Sequence, residues 1–141
     1  MSKSPQNSTD LALLVLRLGF GVSMFAFHGW GKISGGPELW ERLGGVMALF
    51  GISFAPVFWG LLAALAESVG SALIALGLFT RPAAVVLAGT MVVAAWRHLS
   101  LPAGADGAGF SGASHALEYL VVYAVLILAG AGKYSVDAKR K

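Results

Sequence analysis

Four long apolar runs dominate the chain and decide which elements it predicts. They cover residues 11–33, 57–79, 82–99 and 113–131, and each is close to the roughly 20 residues that an α-helix needs to cross a bilayer. Pro56 and Pro82 stand at the starts of the second and third runs, where the fixed φ of proline suits a first helical turn. The pattern predicts an all-α integral membrane protein whose four spans form an antiparallel four-helix bundle.

The stretch between the first two runs has a different pattern. Its apolar positions recur at helical spacing, and its charged residues lie on the opposite side. The apolar positions are Leu39, Leu43, Val46, Met47 and Phe50, and the charged ones are Glu38, Glu41 and Arg42. This predicts a short amphipathic helix at the membrane interface. A loop helix packed on the bundle is the alternative.

Composition narrows the class further. The 141 residues are 57% hydrophobic and 12% charged, whereas a soluble domain has about 25% charged residues. We expect one transmembrane domain over residues 1–141, in contact with the lipid bilayer. With no cysteine, the chain has no disulfide, thiol redox chemistry or thiolate metal site. It also has no basic stripe interleaved with aromatic residues, which argues against nucleic acid as a partner.

The charged residues outside the runs predict an orientation. Four spans place both termini on one side, which would then carry six basic residues against three on the other. The excess predicts that both termini are cytoplasmic. The six are Lys3, Arg81, Lys133, Lys139, Arg140 and Lys141, and the three are Lys32, Arg42 and Arg97.

Glu67 lies near the middle of the second run. A carboxylate at that depth costs several kcal/mol (about 3 by insertion scales) unless it is paired, protonated or hydrated. Arg17 in the first run is a candidate partner, because two unpaired charges in the bilayer would each carry a cost that pairing offsets. At 3.6 residues per turn Arg17 shares a stripe with Gly21, Met24 and His28. We expect an Arg17–Glu67 ion pair, whose role is structural in the simplest interpretation.

The remaining polar groups collect toward the predicted outer side. With Glu67 as its floor, they predict an outward-facing polar pocket that binds a ligand. The candidates are His28, Lys32, Arg97, His98, His115 and Glu118. Each has a simpler interpretation: long basic side chains reach the interface from apolar helices, and a histidine at a span end is more often packed or hydrated than a ligand. No spacing matches a metal site or a built-in cofactor.

An ordered set of short motifs resembles the DoxX family of small membrane proteins. The motifs are LRLGFG around Arg17, FHGWGK at 27–32, AESVG around Glu67, LGLFTRP at 76–82, Glu118 in the last run and GAGKYSVD at 130–137. The resemblance implies a four-helix membrane protein of a bacterial-type cytoplasmic (inner) membrane. It also implies family-type polar positions, here Arg17, His28, Lys32, Glu67, Arg81, Glu118 and Asp137.

The family's namesake belongs to a thiosulfate:quinone oxidoreductase, and related members are associated with oxidative-stress complexes. The resemblance therefore implies a redox-associated subunit that binds a quinone or a small anion in the polar pocket, with an oxidoreductase or other membrane protein as partner. Whether the chain is itself an enzyme stays open. The alternatives are a non-catalytic scaffold or assembly factor, and a small-solute or proton transporter acting as a homo-oligomer.

Overall fold

The structure is a computed structural model that describes residues 5–140, and these form helices joined by short turns, with no strand among them. Two helical spans each contain one π-helical segment. In chain order the elements are α1 (Pro5–Met24), the first π segment (Phe25–Gly29), α2 (Trp30–Ser34), α3 (Gly36–Gly44), a 3₁₀ turn (Gly45–Phe50), α4 (Pro56–Leu65), the second π segment (Ala66–Gly70), α5 (Ser71–Leu76), α6 (Thr80–Ser100), α7 (Gly109–Ala129) and α8 (Val136–Lys139).

Four of the described helical stretches are long and apolar enough to cross a membrane: Gln6–Ser34, Pro56–Leu76, Thr80–Ser100 and Gly109–Ala129. They confirm the all-α fold and the four predicted spans, and their ends move by a few residues. The first stretch also begins earlier, because the polar residues that precede Leu11 are already helical. Lys3 and Lys141, which entered the charge count, lie outside the described residues.

Gly77 ends the second span three residues before the predicted boundary. Its φ of +68° belongs to the left-handed region, where a residue with a Cβ is strained. A Cβ at this position would also meet the Arg17 guanidinium and the Ser135 side chain. The chain therefore turns at 77–79, and α6 begins at Thr80.

Polar side chains are buried and apolar side chains are exposed, which is the reverse of a soluble protein. Arg17, Glu67, Ser68 and Ser71 are buried, while Phe27 and Leu128 are each 80% exposed. The interior between α6 and α7 is filled by small and branched side chains such as Ala84, Leu87, Ala113 and Leu126, which permit close helix contact in lipid. The apolar outer surface suits contact with hydrocarbon chains.

Helix α3 packs directly on α4. A Cβ added at Gly44 would meet the Pro56 carbonyl oxygen, and one added at Gly60 would meet the Trp40 carbonyl oxygen. The indole Nε1 of Trp40 donates to the Lys32 carbonyl oxygen at 2.8 Å, which ties α3 to the end of α2. This is the packing expected of a loop helix on the bundle, and an interfacial position for α3 stays a prediction.

The C-terminal segment is fastened to the first turn of α6. Both carboxylate oxygens of Asp137 accept hydrogen bonds, from the Phe79 amide at 2.8 Å and the Thr80 amide at 2.9 Å. Burial alone would raise the pKa of Asp137, but these two amides and the Arg140 charge outweigh it and hold that pKa below its usual value. Asp137 thus acts as an N-cap supplied from a distant part of the chain.

Hydrogen bonds also show which parts of the chain meet at each end of the molecule. The start of α1 is joined to the C-terminal segment by the Lys133 amide, which donates to Asp10 at 2.9 Å. At the other end, His28 of the first span contacts His115 of the fourth. An antiparallel order of spans would make these contacts, and that order stays a prediction.

Candidate functional site

Glu67 lies in the second π segment and is only 3% exposed. Two serine hydroxyls satisfy carbonyl oxygens around this irregular turn: Ser68 donates to Ala64 at 2.6 Å, and Ser71 donates to Glu67 at 2.5 Å. A π-helical turn breaks the regular i to i−4 bonding and is often found at functional sites. The local sequence Ala-Glu-Ser-Val-Gly therefore accommodates a widened turn with the carboxylate on its inner face.

The partner of Glu67 is Lys32. The ammonium nitrogen Nζ of Lys32 lies 2.5 Å from Oε2 of Glu67, and this is the ion pair formed among the described residues. Lys32 reaches the carboxylate because Gly29, one turn before it, lets the first π segment lie directly against the Glu67 backbone. The Lys32 side chain is 27% exposed, so the pair joins a buried carboxylate to an accessible cation.

The expected Arg17–Glu67 pair is replaced by a different arrangement. Arg17 is fully buried, and its guanidinium donates to the carbonyl oxygens of Ile74 at 3.3 Å, Ala75 at 3.1 Å and Tyr134 at 2.6 Å. The last carbonyls of α5 carry the negative end of the helix dipole. Arg17 is thus level with Gly77, ten residues beyond Glu67, which corresponds to about 15 Å along a helix.

A cavity of about 760 Å³ opens beside the Lys32–Glu67 pair, between α3, α4 and α6. Its apolar walls include Leu43, Met47, Trp59, Ala63, Val86 and Val93. Its charged lining consists of the cations Lys32, Arg42 and Arg97 and the carboxylate of Glu67, so three positive charges against one negative charge leave +2. The cavity thus combines an apolar wall with an excess of positive charge, which suits an amphipathic ligand with an electron-rich head.

Four of the seven candidate pocket residues line this cavity, and three lie elsewhere. Lys32, Glu67, Arg97 and His98 are in the lining, and His98 also contacts the Gly107 carbonyl oxygen through Nδ1 at 2.7 Å. His28, His115 and Glu118 are outside it. Glu118 is exposed, as expected for a hydrated carboxylate near a span end.

His28 and His115 instead contact each other. Their Nε2 atoms are 2.8 Å apart, and the ring of Tyr119 lies edge-on to both, with centroids at 6.2 Å from His28 and 4.9 Å from His115. The Tyr119 hydroxyl donates to Ser23 at 2.9 Å. The three rings form a polar cluster on the side of the first π segment that faces α7.

Arg42 and Trp59 are lining residues that reasoning from the sequence missed. Arg42 was assigned to the charged side of the surface helix, but the folding of α3 onto α4 brings it to the mouth of the cavity. Trp59 had no predicted role beyond its place in the second apolar run. The signal in the sequence that could have indicated this fold-back is the pair of glycines at the crossing, Gly44 in the Gly44-Gly45 step and Gly60 within the second run.

No group of three or more histidine, aspartate or glutamate side chains lies together within residues 5–140. The lining of the cavity therefore offers hydrogen-bond donors and charge for a ligand, and it does not present a cluster of metal-ligating side chains.

These features define a small integral membrane protein with four helical spans, a buried ion pair and a positively charged cavity. The chain belongs to the DoxX family, whose model matches residues 12–99. The match covers the first three spans, including Arg17, Lys32 and Glu67, and it stops before α7. Comparisons with curated proteins and with solved structures give no match.

Proposed function

We propose that this protein is a redox-associated subunit of a bacterial-type cytoplasmic membrane that binds a quinone or a small anion in the cavity between α3, α4 and α6. The observation that carries the proposal is the Lys32–Glu67 pair on the wall of a cavity with two further cations. The volume of about 760 Å³ falls in the range of small-molecule sites.

The lining suits both ligand classes for physical reasons. A quinone ring and tail need apolar walls, which Met47, Trp59 and Val86 supply, and its carbonyl oxygens need donors such as Lys32 and Arg97. An anion needs positive charge that is not fully compensated, and the lining has more cations than carboxylates. The ammonium of Lys32 serves in either case because it is the accessible half of the buried pair.

A redox role requires a source of electrons outside this chain. Electrons must come from a donor, and no redox cofactor motif is present in the sequence. We infer that an oxidoreductase or another membrane protein supplies them, either to a single copy or to a homo-oligomer. The charge count favours cytoplasmic termini, and with that orientation the cavity lies in the outer half of the membrane.

Ligand binding is tested with the purified protein in lipid nanodiscs. Quenching of Trp59 fluorescence by a short-chain quinone, and competition by sulfate, would report occupancy of the cavity. Lys32→Gln removes the accessible cation and is expected to weaken binding of the occupying ligand by roughly 10-fold to 100-fold, the value of a hydrogen bond to a charged group. Trp59→Phe identifies the fluorescence signal that comes from the cavity.

Glu67→Gln distinguishes the two ligand classes, because it frees Lys32 from its partner. Binding of an anion should become much tighter, because a negative charge is removed from the lining, whereas a neutral quinone gains only the freed donor and should change much less. Glu118→Gln is the matched control, since Glu118 is exposed and lies outside the cavity. If neither ligand binds the wild-type protein with a Kd below about 1 mM (~4 kcal/mol of binding free energy), the proposal is wrong and a scaffold role is favoured.

A further inference from the structure

The contact between His28 and His115 restricts which ring nitrogens of the two side chains can carry a proton. A neutral imidazole has one N–H donor and one bare acceptor nitrogen. With the two Nε2 atoms 2.8 Å apart, one ring must donate and the other must accept. The pair therefore holds a single proton between the first π segment and α7.

The surroundings make this contact asymmetric. His28 is half-buried, whereas His115 is exposed. The titratable and charged groups that face the pair are Tyr119 on α7, and Lys32 and Glu67, whose charges act on the His28 ring. The Tyr119 hydroxyl donates its proton to Ser23 and not to either histidine.

His28 is also connected to the ion pair through the backbone. Gly29, its neighbour, lies so close to the second π segment that an added Cβ would meet the Glu67 carbonyl oxygen. The two π segments are therefore in direct contact, one carrying His28 and the other carrying Glu67. Exposed His115 contacts His28 directly, and the charge of the buried Glu67 carboxylate acts on the His28 ring.

We propose that His28 and His115 form a proton-transfer pair that connects the exposed end of α7 with the carboxylate of Glu67. The inference rests on the proposed function, because protonation of Glu67 removes its attraction for Lys32 and leaves the ammonium free for a ligand in the cavity. In this arrangement Glu67 lies between the proton path on one side and the binding cavity on the other.

The transfer conserves protons at each atom. A proton from water binds Nδ1 of His115, and the Nε2 proton of His115 moves to Nε2 of His28. His28 then releases its Nδ1 proton, through water, to the Glu67 carboxylate. Each ring again holds one proton, the hydrogen bond between them is kept with donor and acceptor exchanged, and Glu67 is neutral.

The experiment measures how fast Glu67 is protonated. Protein in nanodiscs is mixed rapidly with acidic buffer, and the carbonyl stretch of a protonated carboxylic acid is followed by infrared absorption. The band is assigned to Glu67 by its absence in Glu67→Gln. In His28→Gln and His115→Gln we expect the band to rise roughly 10²-fold more slowly to the same final amplitude, because a transfer path changes the rate and not the equilibrium.

Imidazole in the buffer separates proton transfer from a purely structural contact. It should restore the rate in His115→Gln, where the lost group is exposed, whereas a pin between two helices would not be repaired in this way. Glu118→Gln, one turn from His115 on the same helix, should keep the wild-type rate. Equal rates in His28→Gln and wild type, or no band at any pH at which the protein stays folded, would overturn the inference.

A measurement on the wild-type protein covers the case in which the variants do not fold. In protein labelled with ¹⁵N-histidine, a shared proton gives a scalar coupling between the two Nε2 nuclei, and its absence would contradict the pairing. Ligand binding is measured in the same nanodiscs. If the wild-type protein binds a ligand but the histidine variants protonate Glu67 at the wild-type rate, only the inference is rejected. If the histidine variants slow the protonation of Glu67 as expected but no ligand binds, only the proposed function is rejected.

Discussion

At the scale of single residues, the chemistry of buried Arg17 and of partly exposed Lys32 explains the partner of each. The guanidinium of Arg17 is a planar fork with five N–H donors, and it reaches three carbonyl oxygens where α5 ends and the C-terminal segment passes. The ammonium of Lys32 is a compact charge, and it pairs with one carboxylate oxygen of Glu67. The Arg17 guanidinium thus joins backbone segments, whereas the Lys32 ammonium makes a single contact beside the cavity.

Asp137 leads to a prediction about acid stability. Its folded-state pKa lies below the usual value, so its contribution to stability is complete above the ordinary pKa of about 3.9 and is lost as the pH falls through the lower folded value. We expect thermal unfolding in detergent to shift to lower temperature below about pH 4. Asp137→Asn should unfold at a lower temperature than wild type at neutral pH. Its unfolding temperature should also lack the acid-dependent decrease that Asp137 contributes.

The size of the neutral-pH effect is set by the capping interaction. Removing the carboxylate from the first turn of α6 should cost roughly 0.5–2 kcal/mol. Asp106→Asn is the control, because Asp106 is an exposed carboxylate in the loop between α6 and α7, at the other end of α6. Identical pH profiles for wild type and Asp137→Asn would show that the cap contributes nothing to stability.

At the scale of elements, the π segments decide which residues face each other. A π turn adds one residue, and it rotates the rest of the span by about 100° relative to a regular helix. The predicted stripe of Arg17, Gly21, Met24 and His28 holds as far as Met24, and then Gly29 instead of His28 is buried. The irregular turns therefore changed the partners that a regular helical stripe predicts, and the depth of the polar groups in the membrane stays a prediction.

The contact between the two π segments predicts different outcomes for two neighbouring glycines. Gly29→Ala places a methyl group against the Glu67 backbone, whereas a Cβ at Gly31 meets nothing within 4 Å. We expect Gly29→Ala to destabilise the protein by about 1–3 kcal/mol through overpacking and to weaken the Lys32–Glu67 contact. Reversible unfolding in detergent measures the first effect, and the infrared band of Glu67 measures the second.

Gly31→Ala is the matched control, with expected stability equal to wild type or slightly higher, since alanine favours a helix over glycine by up to about 1 kcal/mol. Equal unfolding free energies for the two variants would mean that the segments do not approach each other as closely as the structure shows.

At the scale of the whole molecule, the apolar runs were enough to predict the fold. Run length and hydropathy are properties of local stretches of the sequence and require no contact between segments, which is why all four spans were predicted. The cavity depends on the close crossing of α3 and α4 at Gly44 and Gly60, a contact between segments that no periodicity specifies. Four of the residues that line the cavity, including Lys32 and Glu67, were nevertheless among the candidates from the sequence, because ionisable groups within or at the end of an apolar run are unusual.

The orientation of the molecule gives the last prediction. Because the chain has no cysteine, a single introduced cysteine reports its own side of the membrane without background. Asp106→Cys lies in the loop between α6 and α7, and Lys139→Cys lies at the end of α8, both in exposed positions. If the termini are cytoplasmic, a membrane-impermeant maleimide added to intact cells should label Asp106→Cys. The same reagent should label Lys139→Cys only after the cells are permeabilised.

The same result decides where the cavity and the proton pair face. His98 and His115 flank the loop that contains Asp106, and His98 is bonded to Gly107 within it. If Asp106→Cys is labelled in intact cells, the cavity and the histidine pair face the outside, and protons and ligands reach them from that side. Labelling of Lys139→Cys in intact cells would show the opposite orientation, in which protons and ligands reach the site from the cytoplasm.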